Sequence, residues 1–169
     1  ISVDISENGL YMTNELGEIH ISNLPLGKYM IKEVKSLDGY ATDQKEYEID
    51  LSYDHSDKVI YTKTLNVTNT KSTVEISKID ATDSKELAGA HLSLYDKDNN
   101  LIEEWVSTDE PHIIRGLKIN EEYRLHEDLA PLGYATASDI TFTVEDDGKI
   151  TQVIMKDEII KIDISKVDG

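Results

Sequence analysis

Three apolar rows in the sequence each end in an ionisable residue. Lys78 follows Val74 and Ile76, Glu127 follows Tyr123 and Leu125, and Asp157 follows Val153 and Met155. Alternate residues of a strand share a face, so each row points its last, polar member toward the core. A lone charge there is costly and is avoided by pairing or by neutralisation. An apolar interior disfavours the charged forms of amines and carboxyls alike. A neutral amine is a nucleophile, a protonated carboxyl is a proton donor, and a second carboxyl offers a carbonyl carbon. The chemistry expected is attack of Lys78 on the side-chain carbonyl of Asp157, with Glu127 shuttling protons and stabilising the oxyanion while water leaves. The product is an isopeptide bond. A non-covalent salt bridge is the weaker reading, because it leaves two carboxyls for one ammonium. Frayed strand ends, with all three groups in solvent, are weaker still.

The rows recur. VEISKID at 74–80 returns as IDISKVD at 162–168, and Lys78 and Lys166 are 88 residues apart (166 − 78). LNVTN at 65–69 corresponds to VIMKD at 153–157, placing Asn69 and Asp157 at the same spacing of 88 (157 − 69). YMIKEVKSLDGY at 29–40 matches YRLHEDLAPLGY at 123–134, with Glu33 and Glu127 separated by 94 (127 − 33). Self-similarity of this kind marks a repeat architecture. The order within a repeat is lysine strand, glutamate strand, Asx strand. Residues 72–158 hold a full set. Residues 1–71 hold only Glu33 and Asn69 and read as the C-terminal part of a first domain. Residues 159–169 read as a linker and the first strand of a following domain, carrying Lys166. With Asn69 as the electrophile, ammonia would leave in place of water.

The elements that must position these groups read as short strands. Alternation is visible at 74–78, 91–95, 101–106, 123–127, 140–144 and 150–157, with turns at 96–100 and 146–148. Rows Tyr29–Ile31–Glu33, Leu65–Val67–Asn69 and Ile162–Ile164–Lys166 repeat the pattern. Only 84–87 suggests a helical turn. Strands and turns at this spacing predict an all-β sandwich.

Composition narrows the function. A net charge of −17 repels phosphates and anionic lipid, so nucleic-acid partners and membrane insertion are not expected. The sequence contains no apolar run of spanning length. It also has no cysteine, so an extracellular all-β chain of this kind needs bracing other than disulfides.

SKID…KELAGAHLSLYD, YRLHEDLAPLGY and VIMKD together resemble the B-type repeat domains of Gram-positive collagen adhesins, also found in pilins and in split-domain ligation tags. The resemblance covers 74–158 closely. It implies tandem prealbumin-like, inverse immunoglobulin-like β-sandwiches. It makes Lys78 and Asp157 the bonded pair and Glu127 the catalytic acid, with Glu33 and Asn69 in the same roles in the first domain, where SLDGY departs from the Ala-Pro form. It further implies an extracellular, wall-anchored parent protein whose stalk is formed by neighbouring domains of one long chain. A host ligand would be bound by another domain. No cofactor or metal is implied, and no enzymatic turnover beyond the single self-directed bond.

Two other readings compete. A ligand-binding sandwich for host protein or glycan would use Trp105 and tyrosines as a platform, although one Trp and one Phe make the aromatic supply thin. A calcium loop at 96–100 lacks the glycine and glutamate of the EF-hand pattern, having Leu101 and Ser107 there. A hairpin turn fits better.

Overall fold

The computed structural model describes residues 9–52 and 62–167. Among them all regular structure is strand, with no helix. In chain order these are β1 (Lys28–Lys32), β2 (Tyr40–Ala41), β3 (Glu46–Asp50), β4 (Thr70–Lys71), β5 (Thr73–Asp80) and β6 (His91–Asp96). There follow β7 (Leu101–Val106), β8 (His112–Arg115), β9 (Glu122–Leu129), β10 (Tyr134–Ala135), β11 (Ile140–Thr143) and β12 (Ile150–Ile159). The chain divides into two compact units, Ile1–Lys32 with Lys45–Asn66, and Glu33–Gln44 with Val67–Gly169.

In the first unit β1 and β3 pair antiparallel, with Tyr29 opposite Ile49 and Ile31 opposite Tyr47. Parts of the expected first and last domains, residues 1–8, 53–61 and 168–169, lie outside the described residues.

The second unit contains two four-stranded sheets, in the orders β10-β12-β5-β8 and β11-β9-β6-β7, and the small pair β2-β4. Val74, Ile76, Ile114, Val153 and Met155 of one sheet and Leu92, Leu94, Tyr123 and Leu125 of the other form a single buried cluster. Two sheets sharing one core make a sandwich. The alternation read from sequence is the alternation of burial. In β12, Val153, Met155 and Asp157 are buried while Ile154, Lys156 and Glu158 are exposed.

The 96–100 segment is the turn between β6 and β7. Asp96 Oδ1 accepts hydrogen bonds from the N–H groups of Asp98 and Asn100, both at 2.8 Å, and its Oδ2 accepts one from Asn100 Nδ2 at 2.9 Å. Its carboxyl is thus used as a local turn former. The segment 84–87 is no helix either. Ser84 N–H closes a turn on Asp80 C=O at 2.9 Å, and Glu86 bridges back to Ile79.

Two expected strands do not form. Residues 65–69 carry no ladder, pairing beginning only at Thr70, and beyond Ile160, whose N–H still reaches Gly133 C=O at 2.9 Å, residues 161–167 carry none and are exposed throughout. Alternation marks a face. A strand also needs a neighbour for its N–H and C=O groups, and within the described residues neither segment has one.

Candidate functional site

The first and last strands of the complete repeat lie side by side. β5 and β12 are parallel neighbours in the middle of one sheet, with Lys78 opposite Met155 and Asp80 opposite Asp157. Asp157 is two residues beyond Met155 on the same face, which brings its carboxyl next to the Lys78 amine. Glu127 arrives from the other sheet, on β9 opposite Leu92. Two strands of one sheet and one strand of the facing sheet thus place the three groups together.

All three are sealed from water: Lys78 is 2% exposed, Glu127 1% and Asp157 0%. Lys78 Nζ donates to Asp157 Oδ1 and lies 2.9 Å from Glu127 Oε1. Glu127 Oε2 is held by the Ala137 N–H at 2.6 Å. Two buried oxygens, Glu127 Oε1 and Asp157 Oδ2, receive no aligned hydrogen bond. Burial, together with the nearby Glu127, pushes the Asp157 carboxyl above the ordinary carboxylate range, and Lys78 opposes that rise. Burial thus weighs against the carboxylate form of the electrophile, and its contact with an amine is the geometry amide formation needs.

The backbone around Lys78 is pinned from outside. Its N–H donates to Glu86 Oε2 at 3.2 Å, and its C=O accepts the Leu87 N–H at 2.7 Å. The Ala81 N–H donates to Asp157 C=O at 2.9 Å. Sequence reasoning missed Glu86 and the Ala137 amide; the recurring spacing could have revealed the second.

The first repeat shows the same half-site. Glu33 Oε2 accepts the Asp43 N–H at 2.6 Å, as Glu127 accepts Ala137, each amide lying ten residues after its glutamate. Glu33 Oε1 accepts from Asn69 Nδ2 at 3.0 Å, and Ser36 Oγ accepts from the same nitrogen at 3.0 Å. The structure therefore brings Glu33 and Asn69 together, with Ser36 as an unforeseen third member. Lys166 is not brought to either cluster and lies in the exposed segment 160–167. Trp105 packs on the core and stacks on His112 with ring centroids 4.3 Å apart and planes 12° from parallel.

Tyr134, in the glutamate segment, ties that segment to the end of the lysine strand. Its hydroxyl donates to Asp80 Oδ2 at 2.7 Å, and the Thr82 N–H donates to Oδ1 at 2.6 Å. The Tyr134 bond first, then the Thr82 amide, holds the Asp80 carboxyl below its usual range. A carboxylate depressed by folding contributes stability above the unfolded-state range and loses it as pH falls through the folded value. Tyr134→Phe is expected to move the Asp80 titration up toward an ordinary carboxylate, read by NMR. Its destabilisation should be present at neutral pH and fade in acid; an unmoved Asp80 titration would refute the link.

Fold and site together define a class: an all-β sandwich repeat with a buried Lys–Glu–Asp cluster bridging its first and last strands. The SpaA family, a prealbumin-like fold domain, matches residues 2–66 and 72–159, and the chain belongs to it. This agrees with the resemblance to Gram-positive adhesin and pilin repeats. Among solved structures the chain is similar to the TIE protein of Bacillus anthracis, at 24% identity and a TM-score of 0.52, over 88% of this chain and 28% of that one. It also matches BcpA, the major pilin subunit of Bacillus cereus, at 25% identity and TM-score 0.45, over 51% of this chain and 28% of that one. The shaft pilin SpaA from Lactobacillus rhamnosus GG matches at 15% identity and TM-score 0.48, over 89% and 67% of the two chains. The likeness to TIE is one of fold. The chain spans only 28% of the length of that protein and of BcpA. A comparison with curated proteins finds no match.

Proposed function

We propose that this chain is a stalk segment of a Gram-positive surface protein, adhesin or pilin, and that its complete repeat, 72–158, locks itself with a Lys78–Asp157 isopeptide bond. The observation that carries the reading is the sealed cluster, in which Lys78 Nζ contacts both Asp157 Oδ1 and Glu127 Oε1. No substrate has access to three groups at most 2% exposed, so the chemistry is directed at the chain itself and occurs once.

In the reaction the Lys78 Nζ–Asp157 Cγ bond forms and one Cγ–O bond breaks. Starting from the neutral amine and acid, one amine proton joins the leaving hydroxyl as water and the other amine proton stays on the amide. Glu127 carries the proton that moves from nitrogen to the leaving oxygen: its Oε1 faces the amine while the Ala137 N–H fixes its Oε2. The first repeat, residues 1–71, is the C-terminal part of a like domain in which Glu33 and Asn69 hold the same posts and would release ammonia. Residues 159–169 lead into a further repeat.

The family membership supports a stalk role, and the acidic composition supports a surface that repels its neighbours. Among the described residues no helix is long and apolar enough to cross a membrane. Extracellular display, with neighbouring domains of the same long chain as partners, fits such a part.

Intact mass under denaturing conditions is the test. The wild-type chain should be lighter than its sequence by one water for the Lys78–Asp157 bond, and Lys78→Ala should restore that water. A full-sequence mass for the wild type would sink the proposal.

A further inference from the structure

The glutamate segment occurs twice, and its two copies share a backbone but not an environment. Tyr40 and Ala41 pair with Lys71 and Thr70. Tyr134 and Ala135 pair with Ile159 and Glu158. The next amide closes each ladder in the same way, Ser72 N–H on Gly39 C=O and Ile160 N–H on Gly133 C=O, both at 2.9 Å. Yet Gly39 and Ala41 are buried, while Gly133 and Ala135 are exposed.

The loop after β8 covers the first copy. A Cβ added to Gly39 would lie 2.5 Å from the Gly116 carbonyl oxygen, whereas one added to Gly133 would meet nothing within 4 Å. Further contacts close the seam. The Gly116 N–H donates to Ser72 C=O at 3.0 Å, and Ser72 Oγ donates to Leu117 C=O at 2.6 Å. The Thr42 N–H donates to Asp146 Oδ1 at 2.7 Å, and Lys118 Nζ lies 3.6 Å from Asp38 Oδ2.

We propose that the tip of each glutamate segment is the docking surface for the repeat that follows it. Residues 37–42 seat the 72–158 domain through Gly116, Leu117 and Asp146. Residues 131–136 present the same surface to one further domain of this family, whose counterpart of the Gly116 loop lies on Gly133. Continuity of the chain identifies that occupant: the docked domain opens with VEISKID, and IDISKVD follows the exposed tip at the same spacing of 88 residues (162 − 74). At Gly39 the partner's backbone leaves no room for a Cβ, in addition to the left-handed φ that favours glycine in both copies. Thr136 stands where Thr42 does, ready to offer its N–H to an acceptor like Asp146. Leu132, fully exposed, replaces Asp38 and exchanges an ion pair for apolar contact. The joint does not depend on the crosslink.

Amide exchange at Gly116 and Thr42, whose N–H groups cross the seam, reads the joint directly, and trypsin cleavage after the exposed Lys71 reads the adjoining β4. Gly39 and Gly133 both have left-handed φ, +81° and +91°, so Gly133→Ala isolates backbone strain from the clash. Gly39→Ala is expected to raise cleavage and exchange by about tenfold or more, a local opening, while Gly133→Ala leaves both near wild type. Asp146→Ala should open the joint and Asp146→Asn, which keeps an acceptor, should not. In a chain continued past Val167 by a copy of residues 80–158, the Thr136 amide should become protected by a similar factor. The proposal is overturned if Gly39→Ala and Asp146→Ala behave as wild type, if Gly133→Ala opens Lys71 equally, or if Thr136 stays unprotected in the extended chain.

Discussion

Stretched from its two ends, the complete repeat is expected to release no chain between Lys78 and Asp157, whereas Lys78→Ala should release it in one long step. The segment holds 79 residues (157 − 78), which at extended-chain spacing amounts to roughly 270 Å. β5 and β12 are parallel neighbours, so tension entering at the start of one and leaving at the end of the other shears them along their ladder. In the crosslinked domain the load crosses a covalent amide before reaching the sandwich. The same variant should lose thermal stability. Closing a loop of this length restricts the unfolded chain by roughly 4.5 kcal/mol, on entropy reasoning borrowed from disulfides. For a domain of this size that corresponds to roughly 20–35 °C in Tm. The cavity and the two buried carboxyls left by Lys78→Ala add to the loss. A wild-type molecule showing the long step in single-molecule extension would remove the mechanical role.

Glu127→Gln is expected to slow bond formation by about 10²–10⁴-fold, the usual worth of a positioned proton carrier. The substitution keeps the shape and keeps an oxygen able to accept the Ala137 N–H. It removes the group that takes protons from the amine and returns them to the leaving oxygen. Mass spectrometry following each protein from the moment of synthesis reads the rate as loss of one water. The wild type should be converted as fast as it folds, and the variant should persist at full mass while showing the same strand content by circular dichroism. Conversion of Glu127→Gln at the wild-type rate would make Glu127 a packing residue and leave the reaction to Lys78 and Asp157 alone.

Much of the site was legible because burial in a strand has a period of two. Val74–Ile76–Lys78, Tyr123–Leu125–Glu127 and Val153–Met155–Asp157 each follow that period into the core, and each row is buried in the structure. The 88-residue and 94-residue spacings aligned Asn69 with Asp157 and Glu33 with Glu127, and the pairing of β2 with β4 and of β10 with β12 keeps those same spacings. The row at 65–69 misled, because alternation is also found where, among the described residues, no neighbouring strand completes a ladder. β8 went unread: four residues, HIIR, are too few to display a period.

The sequence by itself determined that the chain is all-β and repeated, and which three side chains point inward, since those properties follow from residue type and local periodicity. Only the tertiary structure decided that β5 and β12 run parallel and adjacent, that Glu127 comes from the facing sheet, and that Gly39 is covered while Gly133 is not. Strand pairing brings together residues far apart in the chain, and the period of two is the same for parallel and antiparallel neighbours. No local pattern carries that information; it resides in the packing of one sheet on the other.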